Sequence, residues 1–352
     1  MTRIVAAPDE SAAGIREAAE LLRKGELVAF PTETVYGLGA DGLNPKAAAA
    51  IFDAKGRPQD NPLILHIADL KALDPLVTSV PAGAREALAH LWPGPITFIF
   101  YRSTLVPDVV TAGGPTVAIR MPQNPIARAL IRAAGTPIAA PSANRSGRPS
   151  PTTAGDVLED MDGRIPMILD GGSSSIGVES TVVDLTVTPP VILRPGFHSR
   201  VTLEADFPGI EDVTPEAAQV SSDVPKSPGM KYRHYAPKAP LSLYIGPGDA
   251  VTARLAKDTE GYRAAEKRVG IMAFDPQIDA LQARLDGGVT YASMGPAPTH
   301  PAVAQRLFYN MRVLDRAGVD VILAVGVPEE GVGIAVMNRL RKASGGKWLL
   351  VE

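Results

Sequence analysis

Cysteine is absent from the 352 residues, which excludes disulfide bridges and thiolate metal sites from the outset. Histidine is scarce, and the five, at 66, 90, 198, 234 and 300, nowhere fall at zinc-ligand spacing. No uninterrupted apolar stretch approaches the roughly 18 residues that a bilayer-spanning helix needs. The N-terminus, MTRIVAAPDE, holds no apolar core of signal-peptide length. Without an export signal the sequon Asn144-Arg145-Ser146 carries no weight, and the cytoplasm is the expected compartment. An excess of base is missing too: 35 Lys plus Arg stand against 38 Asp plus Glu, a formal net charge of −3. That is a poor footprint for a protein living on nucleic acid, although local basic patches remain open to it. A phosphate-cradling G-x-x-x-x-G-K-[ST] loop is lacking, since Gly345-Gly346-Lys347 runs into Trp348. No internal repeat is present.

What is there describes an ordinary soluble globular protein, 45% hydrophobic and 21% charged, with the length of two domains. The stretch KGRPQDNPLILH, Lys55 to His66, organises the first half. Gly56-Arg57-Pro58 and Asn61-Pro62 forbid helix and hold the backbone extended, which puts Lys55 and Arg57 on one side of the segment. Leu63 to Ile67 is an apolar run of strand length, with His66 near its far end. Before it, the patterning predicts a helix over Ser11 to Lys24, a strand over Leu27 to Phe30, and a helix from Pro45 to about Ala54 capped by Asn44. After it come a helix over Ala82 to Leu91 stopped by Trp92-Pro93-Gly94-Pro95, strands Ile96 to Tyr101 and Thr116 to Arg120, and a helix over Pro125 to Ala134. Strand Ile138 to Ala140, helix Thr153 to Met161 and strands Met167 to Leu169, Glu179 to Leu185 and Val191 to Leu193 follow.

From about Phe207 to Pro240 prolines recur and periodicity disappears. A stretch of that length, carrying SPGMKYRHYAPKAP, reads as a lid or a linker. Beyond it, strands Leu241 to Ile245, Val269 to Phe274, Val289 to Ser293 and Val319 to Val325 alternate with helices over about Asp249 to Leu255 and Pro301 to Ala317. The organisation is therefore a first domain over 1–206, a linker over 207–240, and a second domain over 241–352 with a three-layer, mostly parallel sheet.

Gly37, Gly39 and Gly42 spell G-x-G-x-x-G after a predicted strand. A dinucleotide fold needs the helix to open within that run and an acid to end the next strand. Here the helix opens at Pro45 and the next strand ends Leu65-His66-Ile67, so the glycines read instead as a tight turn that lets backbone approach a ligand. Thr32, Glu33, Thr34 and Tyr36 crowd one turn: hydroxyls at a strand end suit a small polar ligand, while Glu33 reads as a turn or capping residue. Arg120 ends a strand before Met121-Pro122, either as a surface charge or as a bidentate clamp for a carboxylate. His66 on its own reads as a structural histidine. Ser142, Asn144, Ser146 and Ser150, with Arg145 and Arg148, form a polar loop. Lacking a nearby base, its serines fit hydrogen bonding to phosphate or sugar better than nucleophilic attack. Glu179-Ser180-Thr181 opens a strand after the loop Asp170 to Gly177, and Arg194-Pro195-Gly196 puts another cation at a strand end. Together, Lys55, Arg57, Arg120 and Arg194 among hydroxyls and amides describe a pocket for a nucleotide plus a carboxylate.

PTETVYGLG, KGRPQDNPL, VAIRMP, APSANRSGRPSPT, DGG…GVESTVVD and ILRPG, in that order, resemble the YrdC-like L-threonylcarbamoyladenylate synthases. SPGMKYRHYAP and the α/β tail resemble their long, two-domain form, so the likeness covers nearly the whole chain. It implies an α/β fold: a YrdC-like twisted mixed sheet with helices, followed by a smaller three-layer, Rossmann-like α/β domain. It implies a nucleotidyltransferase that converts L-threonine, bicarbonate or CO2, and ATP (with Mg²⁺) into threonylcarbamoyl-AMP and pyrophosphate. The product would pass to a separate tRNA threonylcarbamoyl transferase complex, with at most a weak contact to tRNA and none to membrane. By the same resemblance, Thr34, His66, Arg120, Ala140 through its backbone and Thr181 would hold threonine. Lys55, Arg57, Asn61, Thr116, Ser142, Asn144, Ser150, Arg194 and Tyr235 would hold ATP, Lys55 and Arg57 acting electrostatically, and no metal ligands are named. Lys231 to Tyr235 would close over the mouth as a lid. Two other classes stay open: an RNA-binding module, and a carbamoyl transferase like the related domains of hydrogenase maturation.

Overall fold

The computed structural model describes residues 1–213, 225–226 and 234–352. Two compact units divide the chain: Met1–Ser146, Ser150–Ser175 and Glu179–Tyr232 form the first, and Gly147–Pro149, Ile176–Val178 and Arg233–Glu352 the second.

The first unit is built on strands β1 (Arg3–Ala6), β2 (Val28–Phe30), β3 (Gly37–Asp41), β4 (Ile64–His66), β5 (Ile96–Tyr101), β6 (Thr116–Arg120), β7 (Ile138–Ala139), β8 (Met167–Asp170), β9 (Thr181–Asp184), β10 (Val191–Arg194) and β11 (Glu211–Asp212). They form one 11-stranded sheet in the order β1-β8-β2-β3-β7-β4-β6-β5-β9-β10-β11. It is mixed: β4 and β5 run parallel to β6 and β9 respectively, whereas β5 and β9 are antiparallel to β6 and β10.

Side chains alternate across a strand, so the register sorts the central strands into two faces. Leu65, Val117, Ile119, Phe98, Phe100, Val183 and Ile192 belong to the main core with the helices Pro45–Lys55 and Ala84–Leu91. Ile64, Ala118, Ile99 and Val182 make a small separate apolar patch on the other face. A further cluster joins the amphipathic helices Ala13–Arg23 and Pro125–Ala134 through Ile15, Ala18, Leu22, Ile126 and Leu130, over Val28 and Phe30.

The helix Pro45–Lys55 begins as its sequence predicts, Asn44 Oδ1 accepting the N–H groups of Lys46 and Ala47 at 3.0 and 3.2 Å. It ends one residue later than expected, at Gly56 with φ 60°. Lys55 is therefore a buried residue of the last helical turn, and the expected extended pairing with Arg57 does not exist.

The glycine run serves another purpose than the tight turn its spacing suggests. Gly37 and Gly39 lie within β3 and Gly42 just past it; none makes a tight turn for a ligand. A Cβ at Gly39 would stand 2.9 Å from both Phe30 Cε1 and Ile138 Cγ2, and one at Gly42 would stand 2.5 Å from Leu65 Cδ2. These glycines make room for packed side chains, an interior constraint that the motif alone does not reveal.

The first unit also runs past residue 206. Phe207 and Ile210 are buried in its core, and β11 pairs with β10 inside the stretch expected to be linker. Two anchoring apolar residues suffice for this, without the periodicity that would have signalled it.

The second unit contains β12 (Leu241–Ile245), β13 (Val269–Ala273), β14 (Val289–Ser293), β15 (Val321–Val325) and β16 (Trp348–Leu350), in the order β14-β13-β15-β12-β16. Every pairing is parallel, so the sheet expected to be mostly parallel is wholly so. The helix after β12 reaches Ala264 instead of about Leu255, because its second half buries only Ala256 and Thr259 and shows little apolar patterning. Helices Asp275–Arg284 and Val332–Ala343, and β16, go beyond the elements that the sequence pattern predicts. In Val332–Ala343 the buried Arg339 interrupts the apolar stripe. Among the described residues no helix is long and apolar enough to cross a membrane.

Candidate functional site

One row of residues crosses five strands of the first unit. His66 on β4 pairs with Arg120 on β6, Arg120 with Thr97 on β5, Thr97 with Val182 on β9, and Val182 with Arg194 on β10. Directly paired residues project to the same face, so His66, Arg120, Thr97 and Arg194 share one surface. Neighbouring strands lie about 4.8 Å apart, which separates the backbones of Arg120 and Arg194 by about 14 Å. Ile64, Ala118 and Ile99 lie two residues along from this row, and Thr116, at the far end of β6, shares its face.

At the Arg120 end the loop after β2 folds back onto the row. Arg120 Nη2 meets Glu33 Oε1 at 2.5 Å, Nη1 donates to Thr34 Oγ1 at 2.8 Å, and Nε faces the Gly94 carbonyl at 3.4 Å. Glu33 Oε2 accepts from the backbone N–H of Asn124 at 3.3 Å. Both members of the ion pair are almost wholly buried, their side chains 5% and 6% exposed. Burial pushes the Glu33 carboxyl up, but the charge and hydrogen bond of Arg120 outweigh it and hold the group below the usual carboxylate range. Glu33 is therefore no capping residue. Thr32 Oγ1 shares a hydrogen bond with Thr34 Oγ1 at 2.8 Å and donates to the Val35 carbonyl, tightening the turn.

His66 is buried, its Nδ1 3.2 Å from the Ile64 carbonyl and its ring edge-on to Phe30. Burial, then the Arg120 charge, lowers its pKa from 6.5 to about 3, so it is a neutral hydrogen-bonding group. Ala140 donates its N–H to the Ile64 carbonyl at 2.9 Å. Thr181 is fully buried, and its hydroxyl donates to the His198 carbonyl and accepts the His198 N–H at 2.9 and 3.0 Å. That hydroxyl holds the 196–198 turn.

The residues expected to meet the nucleotide lie on β6 and β10 (Thr116 and Arg194), at the end of the helix Pro45–Lys55 and in the loop between it and β4 (Lys55, Arg57 and Asn61), and in the loop after β7 (Ser142, Asn144 and Ser150). Arg57 Nε and Nη2 donate to the Asn61 carbonyl at 3.2 and 3.1 Å, and Nη2 also to the Pro62 carbonyl at 3.0 Å. Asn61 is 1% exposed, yet among the described residues neither end of its carboxamide has a hydrogen-bond partner. Lys55 Nζ donates to the carbonyls of Ser142 and Asn144, fastening the 142–144 loop to the helix end. Ser142 Oγ donates to Asn144 Oδ1, and Ser150 Oγ to the buried Glu179 carboxylate. Arg194 donates to the Ser180 carbonyl and Oγ, each at 3.1 Å, and Ser180 Oγ meets Thr97 Oγ1 at 2.7 Å.

Tyr235 belongs to the second unit. There its ring lies 5.3 Å from that of Phe308, with the Arg339 guanidinium 5.7 Å from the ring centre, and its φ of 65° is unusual for a bulky residue. Lys231 to Arg233, expected in the lid, lie outside the described residues.

Three residues of this network do not stand out in the sequence: Glu33 reads there as turn chemistry, and Thr97 and Ser180 only as parts of strands. Thr97 alone leaves a trace in the sequence, as the one non-aromatic polar residue in the run ITFIFY.

A family model described as telomere recombination, covering the Sua5, YciO and YrdC proteins, matches residues 20–196. A second, described as threonylcarbamoyl-AMP synthase, C-terminal domain, matches residues 202–345. The threonylcarbamoyl-AMP synthase of Pyrococcus abyssi is 48% identical over 331 residues, covering 94% of this chain and 94% of the relative. That of Bacillus subtilis is 45% identical over 334 residues, covering 95% and 93%. The crystal structure of P. abyssi Sua5 complexed with L-threonine superposes with a TM-score of 0.90 at 46% identity, covering all of both chains. With both domains matched in order and relatives aligned almost end to end, the chain belongs to the Sua5 family of threonylcarbamoyl-AMP synthases.

Proposed function

We propose that the face carrying His66, Arg120, Thr97 and Arg194 brings L-threonine and ATP together, the amino acid at the Arg120 end and the triphosphate towards Asn61, Arg57 and Arg194. The observation that carries this reading is the shared row across five strands. It aligns a carboxylate-matching guanidinium with a second guanidinium at a spacing that an amino acid and a nucleotide together can bridge. The unpartnered, buried carboxamide of Asn61 adds to it, since such a group is costly unless a ligand completes it.

In this arrangement Arg120 and Thr34 receive the threonine carboxylate and neutral His66 meets a remaining polar atom. The ammonium loses a proton to solvent, the amine attacks CO2, and the adduct loses a second proton to give a carbamate. A carbamate oxygen then bonds to the α-phosphorus as the bond to the β-phosphate oxygen breaks, releasing pyrophosphate. Negative charge gathers on the phosphoryl oxygens, so Arg57, Arg194 and the ammonium of Lys55 contribute by fixed electrostatics and positioning. Lys55 also acts through the loop it holds.

Among the described residues no three His, Cys, Asp or Glu side chains gather to hold a metal. Mg²⁺ would enter as MgATP, bound chiefly by phosphate oxygens and water. Carbamates decompose in water, and this gives Lys231 to Tyr235 the role of a cover whose Tyr235 meets the nucleotide. The product then goes to a tRNA-modifying transferase in the cytoplasm. Pyrophosphate release should require threonine, bicarbonate and ATP together; release independent of threonine would remove the assignment and favour a carbamoyl transferase.

A further inference from the structure

Resting on the reading that Arg120 receives the threonine carboxylate, we infer that Glu33 is a specificity-determining residue: paired with Arg120 it makes a buried, electrically neutral site that accepts a zwitterionic amino acid and rejects a carboxylate lacking the amino group.

Arg120 and Glu33 meet at 2.5 Å with both side chains about 95% buried. Glu33 is fixed from two sides, by Arg120 on Oε1 and by the Asn124 N–H on Oε2, so it stays with the guanidinium as a standing counter-charge. Its lowered pKa keeps it ionised at neutral pH. Arg120 in turn spends one donor each on Glu33, Thr34 and Gly94, which leaves two of its five N–H groups for a ligand.

A buried site tolerates charge only when it is matched. A lone Arg120 would be satisfied by any carboxylate. With Glu33 beside it, a simple carboxylate leaves two negative groups around one guanidinium, an excess held out of water. An α-amino acid brings its ammonium two bonds from its carboxylate, so the complex stays neutral and the ammonium lies in the field of Glu33. A cation without a carboxylate is excluded for the opposite reason. Once the amine has become a carbamate the ligand is anionic, and Glu33 then disfavours it at this end while Arg57 and Arg194 attract it at the other.

The test uses the full chain and pyrophosphate release, with 3-hydroxybutyrate (threonine without its amino group) and threoninamide (threonine without its carboxylate charge) as competitors. In the wild type each inhibits at least about tenfold more weakly than threonine's own KM, the scale of one unmatched neighbouring charge. Glu33→Gln narrows the gap between 3-hydroxybutyrate and threonine by about tenfold, widens that for threoninamide, and leaves the ATP KM unchanged; Glu33→Asp retains the wild-type order. Equal weakening of threonine and 3-hydroxybutyrate in Glu33→Gln would reduce Glu33 to a prop and overturn the inference. If that variant does not fold, the wild-type arm decides, since 3-hydroxybutyrate binding as tightly as threonine would also overturn it. Failure of the underlying site assignment looks different: Arg120→Ala would then leave the threonine KM untouched.

Discussion

His66 and Arg120 stand opposite each other on parallel strands, a buried imidazole beside a buried guanidinium, and that neighbour helps keep the imidazole uncharged. Burial lowers its pKa first and Arg120 second, from 6.5 to about 3. A histidine whose folded pKa lies below its unfolded one binds more protons when unfolded, so stability falls as pH drops from about 6.5 towards 3. Replacing His66 by Gln should flatten that part of the stability curve in urea titrations. The His66 ring signal in NMR should not titrate between pH 8 and about 5; an inflection near 6.5 would show the ring to be solvated.

Arg120→Ala should raise the threonine KM by about 30-fold or more while the ATP KM moves by less than about twofold, the scale of losing one partner of a buried charge pair. Thermal stability should fall with it, because Glu33 is left charged and buried without its counter-ion. Equal loss of threonine and ATP affinity would show that Arg120 does not divide the site as assigned.

Asn61 offers the opposite combination. Its carboxamide lacks partners among the described residues, and an unpaired buried amide costs about 1–3 kcal/mol. Asn61→Leu should leave the melting temperature of the ligand-free protein unchanged or higher, yet raise the ATP KM by about tenfold. A clear drop in stability with normal ATP affinity would assign Asn61 to the scaffold.

Removing residues 226–352 tests the cover. Phe207 and Ile210 already anchor the end of the first unit upstream of the cut, so the remainder should stay folded by circular dichroism while pyrophosphate release is lost. Undiminished synthesis of the adenylate by the folded remainder would leave Tyr235 and its neighbours no part in the reaction.

Gly39→Ala should destabilise by about 1–3 kcal/mol through overpacking, since its Cβ would meet Phe30 and Ile138 at 2.9 Å. Thermal melts should show the loss, with threonine and ATP KM values close to wild type. A selective rise in either KM would return the glycine run to the ligand.

Much of the fold could be read from local pattern. The helices starting at Pro45 and Pro125 carry their own start and stop signals, Asn, Pro and Gly, within a dozen residues. The strands Ile96–Tyr101 and Thr116–Arg120 announce themselves as apolar runs. The ordered motifs likewise named Arg120, His66, Asn61 and Arg194, because residue type and position along the chain are local quantities. Which strands become neighbours is not local. The row from His66 to Arg194 joins residues up to 128 positions apart through an order, β4-β6-β5-β9-β10, that depends on how non-adjacent segments pack. Glu33 became the counter-ion of Arg120, Lys55 a loop fastener, and Gly39 a seat for Phe30 only once those segments met, since charge pairing and close packing are properties of distance in space.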